Sequence, residues 1–416
     1  MSFSSFNLDA RLQDGVRLSG FEQPTPIQSA TIPAALTGQD ILGSAETGTG
    51  KTAAYLLPIM QRLLATRGHT LRALILVPTR ELALQVAEQA MQLGRRTDLR
   101  VAAIYGGVGM GDQTNALRRG LDIVIATPGR LIDHTERKNI SFKSIEVLVL
   151  DEADRMLDIG FLPDIRRIVA QLPRERQTML FSATISADIA NLSSQVTRHP
   201  ARIQVEKTVS PEAIDQTLFP VPEHLKSQLL QQLLSDEKMD SVLVFARTKH
   251  RAEKVVKLLQ RANIRAVVIH GDRSQSQRIA ALEAFRRGKS RILVATDIAA
   301  RGIDVQGISH VVNYDVPMQP EDYVHRIGRT GRAQAAGCAY TLVTPTDESM
   351  VHRIETVMRQ KIQRRRLDGI DYHASAFVQP SAEDIRRYVE ANRKTKSAKA
   401  PNMPNAPKKN WARASR

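Results

Sequence analysis

Three clusters in the chain combine residue types and spacings suited to moving a phosphoryl group. The first is "AETGTGKT" (45–52), where Gly48, Gly50, Lys51 and Thr52 follow a short apolar run and open a helical pattern. Small residues let backbone N–H groups curl around phosphate oxygens at a helix N-terminus. Lys51 is long enough to reach β- and γ-phosphates, and the Thr52 hydroxyl suits a Mg²⁺ ligand. The usual pattern, G-x-x-x-x-G-K-[ST], starts on glycine where this chain has Ala45, a mild change because the backbone makes most of the contacts. The second cluster is "VLVLDEAD" (147–154). Asp151 directly follows four apolar strand residues, where a Mg²⁺-water ligand is needed, and Glu152 is placed to polarise an attacking water. An acidic helix start accounts for Glu152 and Asp154, but poorly for Asp151. The third is "HRIGRTGRA" (325–333), with Arg326, Arg329 and Arg332 three residues apart. It is either a basic patch for phosphate backbones or a source of cations for a reacting phosphate. Upstream, "GFEQPTPIQ" (20–28) ends in Gln28, whose amide can pair with the N6 and N7 edge of adenine or can simply be solvated.

Positioning these clusters requires strands that end at them. Short β-branched runs recur at 73–78, 122–127, 147–151 and 178–184, each followed by a helical pattern, and again at 241–246, 266–271, 291–296 and 310–315. Continuous apolar runs alternating with helices indicate parallel sheets covered on both faces. The two series echo each other: Thr79 and Thr248 lie 169 residues apart, as do Thr127 and Thr296, while Gly106 and Gly271 differ by 165 and Asp151 and Asp315 by 164. A tandem pair of related α/β domains is expected, divided near "QVEKTVSPEA" (204–213). The second half has no glycine-lysine-threonine loop, so the two halves share one composite site across a cleft.

Bulk composition narrows the function. At 416 residues, two domains and an extension are expected. The 42% hydrophobic and 25% charged content is that of a globular protein, and with only 4% aromatic residues, base-stacking platforms are not the main binding device. The single cysteine, Cys338, excludes an internal disulfide and a thiolate metal cluster. The start shows no signal-peptide pattern, and no run approaches the roughly 18 apolar residues of a membrane span; a cytoplasmic protein is expected. Net charge is +16, and residues 361–416 hold 14 Lys+Arg against 5 Asp+Glu. That tail is expected to be disordered and to favour a polyanion such as nucleic acid, or merely to aid solubility.

Together these strings resemble the DEAD-box RNA helicases of the second helicase superfamily, over roughly residues 3–350. The resemblance also rests on "PTRELA" (78–83), "GG" (106–107), "TPGR" (127–130), "SAT" (182–184), "FARTK" (245–249) and "ATDIAARGID" (295–304). It implies two tandem RecA-like domains, 1–207 and 214–365, joined by a linker at 208–213 and followed by the basic tail 366–416. A short basic tail with no large extra domain is similar to the bacterial RhlE-type group. One departure is Glu46, where the family more often has Gln. The implied cofactors are ATP and Mg²⁺. Thr25 and Gln28 then read adenine, helped by Phe21 and with Phe3 as a stacking partner. Ala45, Glu46, Thr47, Gly48, Thr49, Gly50, Lys51 and Thr52 cradle the phosphates, Asp297 lies on the nucleotide side and Asp304 is near the ribose. Ser182 and Thr184 couple hydrolysis to strand separation. Arg80, Gly107, Thr127 and Arg130 grip one RNA strand, and Arg247, Gly271, Gln275, Arg278 and Thr296 continue the track. Arg329 and Arg332 act as arginine fingers, with His325 and Arg326 ordering the interface.

The implied activity is an RNA-dependent ATPase that locally unwinds short duplexes or remodels RNA–protein complexes by closing around single-stranded RNA. Ribosomal precursors and mRNA-degradation complexes are the implied settings, and a monomer is expected. An RNA annealing or scaffold protein and a DNA-directed ATPase of the same superfamily are the alternatives, and a GTP-using switch is disfavoured by Gln28.

Overall fold

A computed structural model describes residues 2–45, 49–66, 70–205, 214–235, 239–300, 307–331 and 337–374. Residues Met1–Ile370 form one compact unit and Asp371–Arg416 another. Glu46, Thr47, Gly48, Asp304, Arg332, the linker 208–213 and the tail from 375 onward lie outside the described residues.

Two seven-stranded sheets, both parallel throughout, organise the larger unit. The first contains β1 (Ile41–Ser44), β2 (Ala73–Leu76), β3 (Val101–Ile104), β4 (Ile123–Ala126), β5 (Val147–Leu150), β6 (Gln177–Ser182) and β7 (Ala201–Gln204). Its order is β3-β4-β2-β5-β6-β1-β7. The second contains β8 (Ile214–Pro220), β9 (Val242–Phe245), β10 (Ala266–Ile269), β11 (Ile292–Ala295), β12 (His310–Asn313), β13 (Gly337–Val343) and β14 (Gln363–Arg364), in the order β10-β11-β9-β12-β13-β8-β14. Adding seven to each number of the first order gives the second, so the two lobes share one topology. The echo in the sequence is therefore an echo in space. Thr79 and Thr248 follow β2 and β9, and each caps the next helix with its side-chain oxygen, accepting from the backbone N–H of Leu82 and of Arg251.

Apolar residues on both faces explain why these short strands are continuous hydrophobic runs. In β5, Val147 and Val149 pack into one core layer while Leu148 and Leu150 pack into the other. In β6, Met179 and Phe181 face the first layer and Leu180 the second. Helices Ala10–Leu18, Lys51–Ala65 and Arg80–Leu93 supply the first layer, and Pro128–Glu136, Leu162–Val169 and Ala187–Val196 the second. Parallel strands end at one edge, so the loops after β1, β5 and β6 converge there. Phe3, expected as a stacking partner, is instead buried in the first layer, edge-on to Phe6 and Phe21 at 5.9 and 6.0 Å.

Candidate functional site

The helix Lys51–Ala65 starts at the loop after β1, and Lys51 is almost fully buried there, its Nζ donating to the Ala45 carbonyl at 2.8 Å. Gly50 is required twice over. Its φ of +93° disfavours any side chain, and a Cβ would lie 2.5 Å from Gln28 Nε2. Gln28 is fully buried; its Oε1 accepts from Thr25 N–H at 2.9 Å and its Nε2 donates to the Gly50 carbonyl at 3.1 Å. This side chain fastens the helix Pro26–Leu36 onto the phosphate loop, leaving one amide proton and one lone pair for any base.

Asp151, at the end of β5, is buried with both oxygens engaged: Oδ2 accepts from the Tyr55 hydroxyl and Oδ1 from Glu152 N–H, each at 2.9 Å. Glu152 holds a left-handed backbone, φ +51°, uncommon for a residue with a side chain and a mark of a turn fixed by its surroundings. Asp154 Oδ2 accepts from the backbone N–H of Ala183 and Thr184 at 3.0 and 3.3 Å, and Ser182 Oγ donates to the Thr184 carbonyl at 2.7 Å. The "DEAD" and "SAT" turns are thus joined through one carboxylate. Burial pushes the Asp151 and Glu152 carboxyls above their usual range; the Lys51 ammonium opposes this at both, and the Arg329 guanidinium also does so at Glu152.

Arg329 reaches this place from the other lobe. It follows the helix Pro320–Ile327 and, with Lys51, Glu152, Asp154, Asp297 and His325, lines a cleft of about 630 Å³ between the lobes. Arg326 points elsewhere. Its guanidinium is held by the Asp297 carboxylate, the Asn313 side chain and the Asp315 carbonyl, and lies 5.0 Å from the Phe245 ring centroid. It ties together the ends of β9, β11 and β12, so the segment carrying Arg329 starts from a rigid base.

The residues expected along a strand-binding track divide into two sets. Arg80 lies across Gly107, whose φ of +81° and missing Cβ admit the guanidinium. Arg130 donates twice to the Val108 carbonyl at 3.1 Å, and Thr127 starts the helix Pro128–Glu136. Together they shape one rim of the first lobe. Arg247 remains partly exposed near Asp347, while Gly271 and Thr296 end β10 and β11. Gln275 and Arg278 differ: both are buried against Glu81 of the first lobe, Gln275 Nε2 donating to Oε1 at 3.1 Å and Arg278 pairing with Oε2 at 2.8 Å. Sequence reasoning missed Glu81 and Tyr55. Glu81 sits inside the quoted "PTRELA", but only the folded pairing shows its partners. Tyr55 had a readable signal, since it stands three residues after Thr52 on one helical face.

Residues 25–192 match the DEAD/DEAH box helicase family, and residues 225–334 match the helicase conserved C-terminal domain family. The chain is 40% identical over 393 residues to the DEAD-box ATP-dependent RNA helicase CshA of Bacillus subtilis, covering 94% of this chain and 79% of the relative. It is 42% identical to the ATP-dependent RNA helicase CshA of Listeria monocytogenes, covering 93% and 74%. Among solved structures it resembles Dbp5 of S. cerevisiae bound to RNA and ADP BeF3, with TM-score 0.80, 28% identity and coverage of 94% and 99%. Its likeness to a variant of that yeast protein bound to nup159, gle1, ip6 and ADP is lower, with TM-score 0.62, 27% identity and coverage of 93% and 100%.

Proposed function

The chain belongs to the DEAD-box family of ATP-dependent RNA helicases, and from that premise we propose how its residues divide the work of an RNA-dependent ATPase. Residues 1–207 form the ATP-binding domain and 214–365 the second domain, with 208–213 as the hinge and 366–416 as a basic extension. The observation that carries this reading is the cleft where Lys51 and Glu152 of the first lobe meet Arg329 of the second.

The residues present fit a Mg²⁺–nucleotide complex. Among the described residues there is no group of three or more His, Cys, Asp or Glu that could hold a metal ion. The buried carboxyls of Asp151 and Glu152 are held above their usual range by desolvation, which a cation in the cleft would offset. Thr52 and Asp151 would hold Mg²⁺, which would neutralise negative charge developing on the phosphates. The Ala45–Thr52 loop cradles phosphates by its backbone and Lys51 draws the γ-phosphate. Glu152 accepts a proton from the attacking water. Arg329, with Arg332, stabilises charge on the transferring group. Thr25, Gln28 and Phe21 enclose the base, and Asp304 approaches the ribose.

Arg80, Gly107, Thr127 and Arg130, with Arg247, Gly271 and Thr296, hold the sugar-phosphate backbone without reading sequence. Gln275 and Arg278 act on the same track indirectly, by securing closure through Glu81. Asp154 passes the state of the site to Ser182 and Thr184, while His325 and Arg326 order the facing lobe. Closure bends the held strand beyond what a duplex follows, so short duplexes open locally. We place the chain in the cytoplasm as a monomer acting on ribosomal precursors or mRNA-degradation complexes. Among the described residues, no helix is long and apolar enough to cross a membrane. The basic composition of residues 366–416 supports placement in the bacterial RhlE-type group, although the relatives described above are CshA proteins. The test is ATP hydrolysis with and without polynucleotide. Stimulation by RNA over DNA, with ATP preferred to GTP, is expected. Hydrolysis indifferent to RNA overturns the reading in favour of a scaffold, and stimulation by DNA instead favours a DNA-directed ATPase.

A further inference from the structure

Tyr55 is fully buried on the helix that begins with the phosphate loop, and its ring packs against Phe181 of β6, centroids 5.5 Å apart. Packing alone accounts for an aromatic ring there, but not for a hydroxyl, since an unpartnered buried O–H is costly. Its hydroxyl donates to Asp151 Oδ2 at 2.9 Å. A phenol has one proton. That proton is committed to the Asp151 carboxylate, an acceptor when ionised.

We propose that Tyr55 is a positioning residue for Mg²⁺, one hydroxyl that sets the rotamer of the Asp151 carboxylate. The proposal rests on the reading of Thr52 and Asp151 as the metal side of the ATP site. It adds that the Asp151 carboxylate is not oriented by its own strand alone. Thr52 and Tyr55 share a helical face, Asp151 ends β5, and Phe181 fills the space between them on β6. Gly43 of β1 keeps that space open, because a Cβ there would lie 2.6 Å from the Phe181 ring. Groups that orient metal ligands typically contribute ten- to a hundredfold to metal affinity.

The test is Tyr55→Phe in the full chain, which keeps the ring and removes only the oxygen. Binding of a fluorescent N-methylanthraniloyl ADP is followed first in EDTA and then along a Mg²⁺ titration. Unchanged binding in EDTA is expected, with the Mg²⁺ concentration for half-effect raised about tenfold. An unchanged Mg²⁺ half-point overturns the proposal and leaves Tyr55 a packing residue. So does an affinity lost equally in EDTA and in Mg²⁺, which reports a damaged fold. If the unsubstituted chain itself shows no Mg²⁺-dependent binding, the nucleotide reading fails with it. That outcome differs from failure of the Tyr55 assignment alone, in which both proteins bind and respond alike.

Discussion

Glu152 and Arg329 make the sharpest claims at the scale of single residues. Both are nearly buried, on opposite lobes, and the Arg329 charge is felt at the Glu152 carboxyl. Glu152→Gln keeps the shape but cannot accept a proton, so RNA-stimulated ATP turnover should fall about 10²- to 10⁴-fold while RNA stays clamped in the presence of ATP. Unaltered turnover sinks the assignment. Arg329→Ala should collapse hydrolysis and unwinding by about 10³-fold or more, with RNA binding in the absence of nucleotide retained. Loss of RNA binding alone would return Arg329 to a basic patch. The types of these residues were legible because chemistry demands them at strand ends. Their second partners were not. Nothing in the string shows that Gln28 spends an amide proton on the Gly50 carbonyl, or that Arg326 is bound up with Asp297 inside its own lobe. Such pairings depend on the direction in which a folded side chain leaves its backbone.

In the first sheet the flanked strands were read and the edges missed. In the second, the edge strand β10 was read at 266–271 and the flanked β8 and β13 were not. The apolar runs at 73–78, 122–127 and 147–151 became β2, β4 and β5, all flanked by other strands. The outermost β3 and β7 are short and partly exposed, "VAAI" and "ARIQ", and gave no comparable signal. Helix Pro128–Glu136 offers a test of local electrostatics. His134 is buried on it; Nδ1 pairs with the Asn139 amide at 3.3 Å, and Nε2 is buried without a hydrogen-bond partner. Burial, then the Arg130 charge, lowers its affinity for a proton in the folded state below the ordinary value of 6.5. The unfolded chain therefore takes up the proton first as pH falls through that value. Stability is full above it and declines below it, with a slope of at most about 1.4 kcal/mol per pH unit until the folded state also protonates. His134→Gln should flatten the acid side of a melting-temperature profile between neutral and mildly acidic pH. An identical profile would show that the ring titrates alike in both states.

At the scale of the whole molecule, charge and closure act separately. Removing residues 367–416 should weaken RNA binding and make its dependence on salt shallower, because each lost phosphate contact lowers the logarithmic slope by about 0.7 on a single strand. Basal ATP hydrolysis should persist. In the proposed cycle closure depends on a different feature, the Glu81 carboxylate of the first lobe, which is nearly buried with Gln275 and Arg278 of the second on its two oxygens. Separated lobes would leave Glu81 to water; joined lobes without Arg278 would bury its charge with the neutral Gln275 amide in place of the ion pair, at about 3–5 kcal/mol. Arg278→Ala should therefore oppose closure itself. In the proposed cycle ATP and RNA each favour the closed form, so each strengthens the other by the same coupling. Measuring RNA affinity with and without a non-hydrolysable ATP analogue reads that coupling directly, and in Arg278→Ala the ratio should fall towards one. A second change separates this latch from a plain RNA contact. Glu81→Gln removes the charge that Arg278→Ala leaves stranded, so the double variant should regain part of the coupling. If Arg278 serves only to touch RNA, nucleotide-free binding falls in the single variant and Glu81→Gln rescues nothing.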